Sequence, residues 1–152
     1  MLSVVFVCTG NICRSPVAEV VFRHELAAAG LADRVRVSSA GLSGWHAGEP
    51  MDERAAALLE AEGYPSAHVA RQVDAGQLGS DLVVALDHGH RRALEAEAPG
   101  RVRLLRSFDP AAPAGAEVPD PYYGDDSAFE DVLRMIEAAM PGLVEWALRA
   151  RE

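Results

Sequence analysis

The sequence predicts one α/β domain, residues 1–152, built on a small open parallel sheet with helices on both faces. Short strand-like runs lie at 2–7, 35–39, 82–86 and 102–105, and those at 2–7 and 82–86 are nearly continuously apolar, which is the pattern of strands buried on both sides. They alternate with helical patterns at 16–29, 52–62, 89–97 and 127–149, the rhythm of βαβ units. No internal repeat or shift in composition divides the chain, and 152 residues suit one domain.

The first strand, ending in Val4-Val5-Phe6-Val7, runs straight into Cys8-Thr9-Gly10-Asn11-Ile12-Cys13-Arg14-Ser15, and Pro16 opens the first helix because proline suits a first helical turn. Residues 107–126 carry Pro110, Pro113, Pro119 and Pro121 with no apolar period, and loops of that length in compact domains are usually functional or disordered. The last helix has the cleanest period: Phe129, Val132, Leu133, Ile136, Met140, Leu143, Val144 and Ala147 form a core stripe. Ser127 and Glu130 fit a capping box at its start, and Pro141-Gly142 is expected to kink or break it.

The net charge of −9, with 14 basic and 23 acidic residues, argues against nucleic-acid or anionic-membrane partners, which favour a basic face. Two cysteines with four residues between them form no disulfide framework, and no apolar run approaches a membrane span. No leader-like segment opens the sequence, so the expected setting is cytoplasmic, export by a route without a signal peptide remaining open. All the basic residues are arginine; no lysine occurs, which excludes a Gly-Lys-Ser/Thr nucleotide loop.

The segment from Cys8 to Ser15 has the makings of a dianion cradle. Gly10 and Asn11 are the residue types that best tolerate a left-handed backbone, so the loop can curl with its amides turned inward. Such a nest, at the positive end of the following helix, binds phosphate. Arg14 adds a planar fork for two oxygens. Cys8 lies at the mouth of that field, which favours thiolate over thiol and makes it a nucleophile. The bare Cys-x5-Arg spacing arises by chance about 0.2 times in a chain of this composition, so its strand-loop-helix context carries the weight.

A thiolate that takes phosphate from an ester needs an acid for the departing oxygen. Asp120, in Asp120-Pro121-Tyr122-Tyr123-Gly124, is the candidate, whereas Asp109-Pro110 is assigned to an ordinary turn. Tyr122 and Tyr123 can stack on an aromatic leaving group or can pack beneath the loop.

These segments together resemble the low-molecular-weight protein tyrosine phosphatases over nearly the whole chain. The Val-Cys-x-Gly-Asn-Ile-Cys-Arg-Ser-Pro signature, Ser39-Ala40-Gly41, Trp45, His68-Val69-Ala70-Arg71 and the Asp-Pro-Tyr-Tyr-Gly motif occur in the family's order. The resemblance implies a flavodoxin-like, four-stranded parallel sheet of the phosphotyrosine phosphatase I type and a phosphocysteine intermediate on Cys8. It also implies that Arg14 grips the phosphoryl oxygens and that Asp120 acts first as acid and then as base. Ser15 is then the hydroxyl that serves the sulfur; Asn11, Ser39 and His68 support the loop; Ile12, Trp45, Tyr122 and Tyr123 wall a pocket deep enough for phosphotyrosine. Cys13 matches a second loop cysteine able to form a reversible disulfide with Cys8, plain packing being the alternative. No cofactor or metal is implied. The expected partners are phosphotyrosine proteins, with phosphate or oxyanion inhibitors in the loop, acting on a monomer. Leu86-Asp87-His88-Gly89-His90 departs from the family's more usual Met-Asp-x-x-Asn and, like Pro141, is placed outside the chemistry.

Three other activities fit parts of the pattern. An arsenate reductase on this scaffold needs relay cysteines, and no cysteine follows Cys13. An arginine-phosphate phosphatase usually carries Thr where Ile12 stands. A cysteine phosphoryl carrier needs no acid, so Asp120 speaks against it, and the intact set Cys8, Arg14, Ser15 and Asp120 speaks against a silent phosphate-binding module.

Overall fold

The computed structural model describes residues 1–150. The chain runs β1 (Leu2–Cys8), α1 (Arg14–Ala28), β2 (Val35–Gly41), α2 (Glu53–Ala61), α3 (Ala75–Leu78), β3 (Leu82–Ala85), α4 (His88–Glu97), β4 (Val102–Leu104), a 3-10 turn (Leu105–Phe108) and α5 (Asp126–Ala150). The four strands form one sheet in the order β2-β1-β3-β4, all parallel.

Because successive side chains point to opposite faces, β1 feeds both layers of the core. Val4 and Phe6 join Val35, Val37, Leu82 and Val84 under α1, α2 and α5, and the Phe6 and Phe22 rings meet edge to face at 5.7 Å. Val5 and Val7 join Val83, Ala85 and Leu104 under Leu94 and Ala98 of α4 and its end. The sheet is therefore buried on both sides, as its apolar strands require. The chain leaves β1 toward one face and β3 toward the other, so a crevice opens between their carboxyl ends. Cys8 ends β1 and Asp87 lies two residues beyond β3.

Of the kink or break expected at Pro141, the break does not occur, and a second expectation at α5, its capping box, fails. The helix is unbroken through Pro141. Proline removes a hydrogen bond and costs about 3 kcal/mol inside a helix, but buried Ile136 and Met140 before it and Leu143 and Ala147 after it hold both halves on the core. Gly142 is a contact, not a break: a Cβ there would lie 2.1 Å from the Phe108 carbonyl oxygen. The Ser127/Glu130 capping box does not form; Asp125 Oδ1 accepts from the Ala128 amide at 3.2 Å and from Ser127 Oγ at 2.8 Å. Helix α1 starts at Arg14, placing Pro16 within its first turn. No helix among the described residues is long and apolar enough to cross a membrane.

Candidate active site

Asn11 organises the loop between β1 and α1. It is the only residue other than glycine, among those described, with a positive φ, 60°, while Gly10 is not left-handed. Gly10 is needed for space instead: a Cβ would lie 2.8 Å from His46 Cδ2. The buried Asn11 amide donates from Nδ2 to Ser15 Oγ and Ser39 Oγ, each at 2.9 Å, and accepts the Arg71 amide at 3.0 Å on Oδ1. His68 Nε2 bonds the Asn11 carbonyl oxygen at 2.8 Å. Ser39 Oγ donates its hydrogen to Glu19 Oε1 in a hydrogen bond and so accepts from Asn11. Ser15 Oγ, likewise filled by Asn11, has its proton free for Cys8 Sγ at 2.9 Å, closer than the Ala40 carbonyl oxygen at 3.4 Å. One path through this network, from the Arg71 amide through the Asn11 side chain and Ser15 Oγ, ends on the sulfur.

Arg14 is held from behind. Its Nη1 donates to Asp87 Oδ2 at 3.0 Å and to the Val118 carbonyl at 2.9 Å, with only 3% of the side chain exposed. Burial alone would raise the Asp87 carboxyl, but the His90 amide and Arg14 outweigh it and hold it below the ordinary carboxylate range. Arg14 Nη2 lies 3.8 Å from Asp120 Oδ2, on the cleft side. His90 Nε2 shares a hydrogen bond with Thr9 Oγ1 at 2.9 Å. Its Nδ1 lies 3.3 Å from Asp87 Oδ1 without the alignment of a hydrogen bond. Burial, and then the charge of Arg14, lower His90 to about 4, so the ring is neutral at pH 7. The segment 86–90, expected to stand apart from the chemistry, thus buttresses the loop directly.

Asp109 and Asp120 make the same turn: each accepts on Oδ1 the amide two residues on, Ala111 at 2.9 Å and Tyr122 at 3.1 Å. What distinguishes Asp120 is its second oxygen, facing Arg14. Cys8, Arg14 and Asp120 line one cleft of about 480 Å³, walled by Ile12, Trp45, His46, Tyr122 and Tyr123. Tyr122 and Tyr123 are exposed and meet edge to face at 4.9 Å, so they form wall and not core. Cys13 lines the same cleft but is buried; burial first, then the nearby Asp52, Cys8 and Asp120, push its thiol up to about 12. Both cysteines are unbridged.

A cradle with this sulfur, guanidinium and carboxylate suits transfer of a phosphoryl group, and the family model of the low molecular weight phosphotyrosine protein phosphatases matches residues 3–151. The chain belongs to that family. It is 56% identical over 149 residues, 95% of this chain and 91% of the other, to low molecular weight protein-tyrosine phosphatase A of Mycobacterium bovis. Among solved structures, the protein tyrosine phosphatase of Entamoeba histolytica with Hepes in its active site superposes with a TM-score of 0.92 at 28% identity, covering 100% of both chains. The Drosophila arginine phosphatase gives 0.82 at 27% identity, covering 93% of this chain and 95% of that one.

Within this phosphatase family fold, every residue singled out from the sequence falls either in the cleft or in the hydrogen-bonded shell beneath it. His46 and the Val118 carbonyl were not singled out, and Asp87 and His90 were named only within a segment placed outside the chemistry. Asp87 and His90 lie beyond the end of β3, and the rule that open α/β sheets bind ligands where neighbouring strands diverge could have found them.

Proposed function

We propose that the chain is a protein tyrosine phosphatase that works through a phosphocysteine. The observation that carries this is that Cys8 Sγ and Asp120 Oδ2 flank one cleft with the Arg14 guanidinium beside them. In the first step the Cys8 thiolate forms a bond to phosphorus as the bond from phosphorus to the aryl oxygen breaks, and Asp120 protonates the departing phenolate. In the second, Asp120 takes a proton from water, whose oxygen bonds to phosphorus as the phosphorus–sulfur bond breaks. Ser15 donates to the sulfur in both states, and the loop amides with Arg14 hold the equatorial oxygens. Inorganic phosphate leaves.

The Trp45, Tyr122 and Tyr123 wall supports phosphotyrosine as substrate, because a shorter phosphoserine would not bring its phosphorus down to Cys8. Cys13, held as a thiol, is the partner for a reversible disulfide once Cys8 is oxidised to a sulfenic acid. A cytoplasmic monomer, inhibited by phosphate and related oxyanions in the loop, belongs to the same proposal.

The test is hydrolysis of matched phosphotyrosine and phosphoarginine peptides in chelator. Wild type should favour phosphotyrosine, and Cys8→Ser should abolish turnover of both. Asp120→Asn should lower kcat/KM with a poor leaving group by about 10²- to 10⁴-fold, and less with a good one. Preference for phosphoarginine would move the chain to the activity named for the Drosophila relative.

A further inference from the structure

Arg54, the second residue of α2, lies outside the cleft yet joins its two halves. On one side its Nε and Nη2 hold Asp52 Oδ1 and Oδ2 at 3.2 and 3.1 Å, and the Asp52 amide donates to the Ile12 carbonyl of the phosphate loop at 2.8 Å. On the other side Nη2 donates to the Tyr122 carbonyl at 2.8 Å and Nη1 to the Gly124 carbonyl at 3.1 Å. The guanidinium is seated over the Phe129 ring, 4.5 Å from its centre.

The Tyr122 peptide links this to the acid. Its N–H donates to Asp120 Oδ1, and the residue's carbonyl accepts from Arg54. Asp120 itself is about half exposed, so its aim comes from its anchors and not from packing. Upstream, Val118 is fixed by its amide to the Leu86 carbonyl at 2.8 Å and by its carbonyl to Arg14. Downstream, beyond buried Pro121, Arg54 is the tether that reaches across to the phosphate loop.

We propose that Arg54 is a positioning residue: a strut that keeps the Asp120 carboxyl in register with the phosphate loop, so that the proton arrives at the leaving oxygen. This rests on Asp120 being the acid. Only a planar fork reaches Asp52 and both carbonyls together, so lysine should not replace it.

The experiment measures kcat/KM for 2,4-dinitrophenyl phosphate, a good leaving group, and phenyl phosphate, a poor one, with inhibition by inorganic phosphate alongside. Arg54→Met should lose about 10- to 100-fold with phenyl phosphate, the scale of a misplaced catalytic group. The dinitrophenyl ester should change by less than about threefold, since its leaving group needs little proton donation. Phosphate inhibition should hold. Arg54→Lys should show most of the same loss. Asp52→Asn, which still caps α2 but gives up the ion pair, should show a smaller loss of the same pattern and covers the case in which Arg54→Met folds poorly. In an Asp120→Asn background the Arg54→Met effect should vanish. Equal losses on both esters, weakened phosphate inhibition, or an undiminished effect in the Asp120→Asn background would overturn the strut while leaving Asp120 as acid. Absence of leaving-group dependence in Asp120→Asn alone would remove the acid assignment, and the strut with it.

Discussion

Asn11, at the centre of the phosphate loop, is fully buried and commits its whole side chain to three partners; Tyr123, on the loop that carries Asp120, is 93% exposed. The first region holds a strained backbone by hydrogen bonds directed inward. The second is a surface loop hung from the carbonyls of Val118, Tyr122 and Gly124. A cradle for a fixed charge distribution gains from rigidity, since preorganised donors need not reorganise during the reaction. An acid that must become a base within one turnover, beside an entering and a leaving molecule, has to stay accessible. The difference separates what binds from what moves a proton.

Arg14 is where the two regions touch, so it breaks the comparison most severely. Arg14→Lys keeps the charge but loses the fork and the simultaneous hold on Asp87 and Val118. A fall in kcat of about 10²- to 10³-fold is expected, the scale of losing one oxyanion donor. Steady-state assays with an aryl phosphate check it, and a change of less than about tenfold would show that charge alone suffices.

Asn11→Ala tests the rigid half by itself. It puts alanine at φ 60° and leaves the Arg71 amide without its partner. Lost buried hydrogen bonds cost about 1–3 kcal/mol each, so a total destabilisation of roughly 3 kcal/mol is expected in urea unfolding. Phosphate inhibition should weaken with it, because the same network aims the loop. Asp120→Ala, by contrast, should leave stability within about 0.5 kcal/mol, as surface substitutions usually do.

His90 sharpens the comparison through pH. The unfolded chain takes up a proton near pH 6.5 that the native ring, held at about 4 by burial and Arg14, refuses. The unfolded state therefore binds more protons throughout that window, and stability drops as pH falls from about 6.5 to about 4, by up to about 3 kcal/mol. His90→Asn should remove this slope. Between pH 7 and pH 5 the variant should lose about 2 kcal/mol less than wild type, and parallel curves would mean that the ring titrates freely.

Much of this was legible beforehand where the signal is local. The strands, the Cys8–Ser15 loop and the stripe of α5 are written in consecutive or periodic residues. Helix α3 was not, since Ala75–Leu78 is four residues held by an Asp74/Gln77 capping box and carries no apolar period. Asp87, His90 and Arg54 escaped for another reason: each meets the site across the sheet or between loops, a juxtaposition that no spacing in sequence encodes. Pro141-Gly142 does not end the helix because core contacts on both sides of it offset a breaker's local cost.

Trp45 gives the smallest effect and bears on selectivity alone. It is 86% exposed, so Trp45→Ala should leave stability within about 0.5 kcal/mol. Its ring stands with Tyr123 at the rim, where the only thing to lose is contact with the substrate's aromatic portion. A rise of a few-fold in KM for a phosphotyrosine peptide is expected, consistent with about 0.5–1.5 kcal/mol for one aromatic pair. Hydrolysis of an aryl phosphate with no peptide attached should change less. If depth of the wall decides between phosphotyrosine and phosphoserine, removing Trp45 and Tyr123 together should narrow that preference, since the shorter ester is excluded by the height of the rim and not by any contact at Cys8. An unchanged preference would place the selection deeper, at Ile12 and the loop itself, on the rigid side of the cleft.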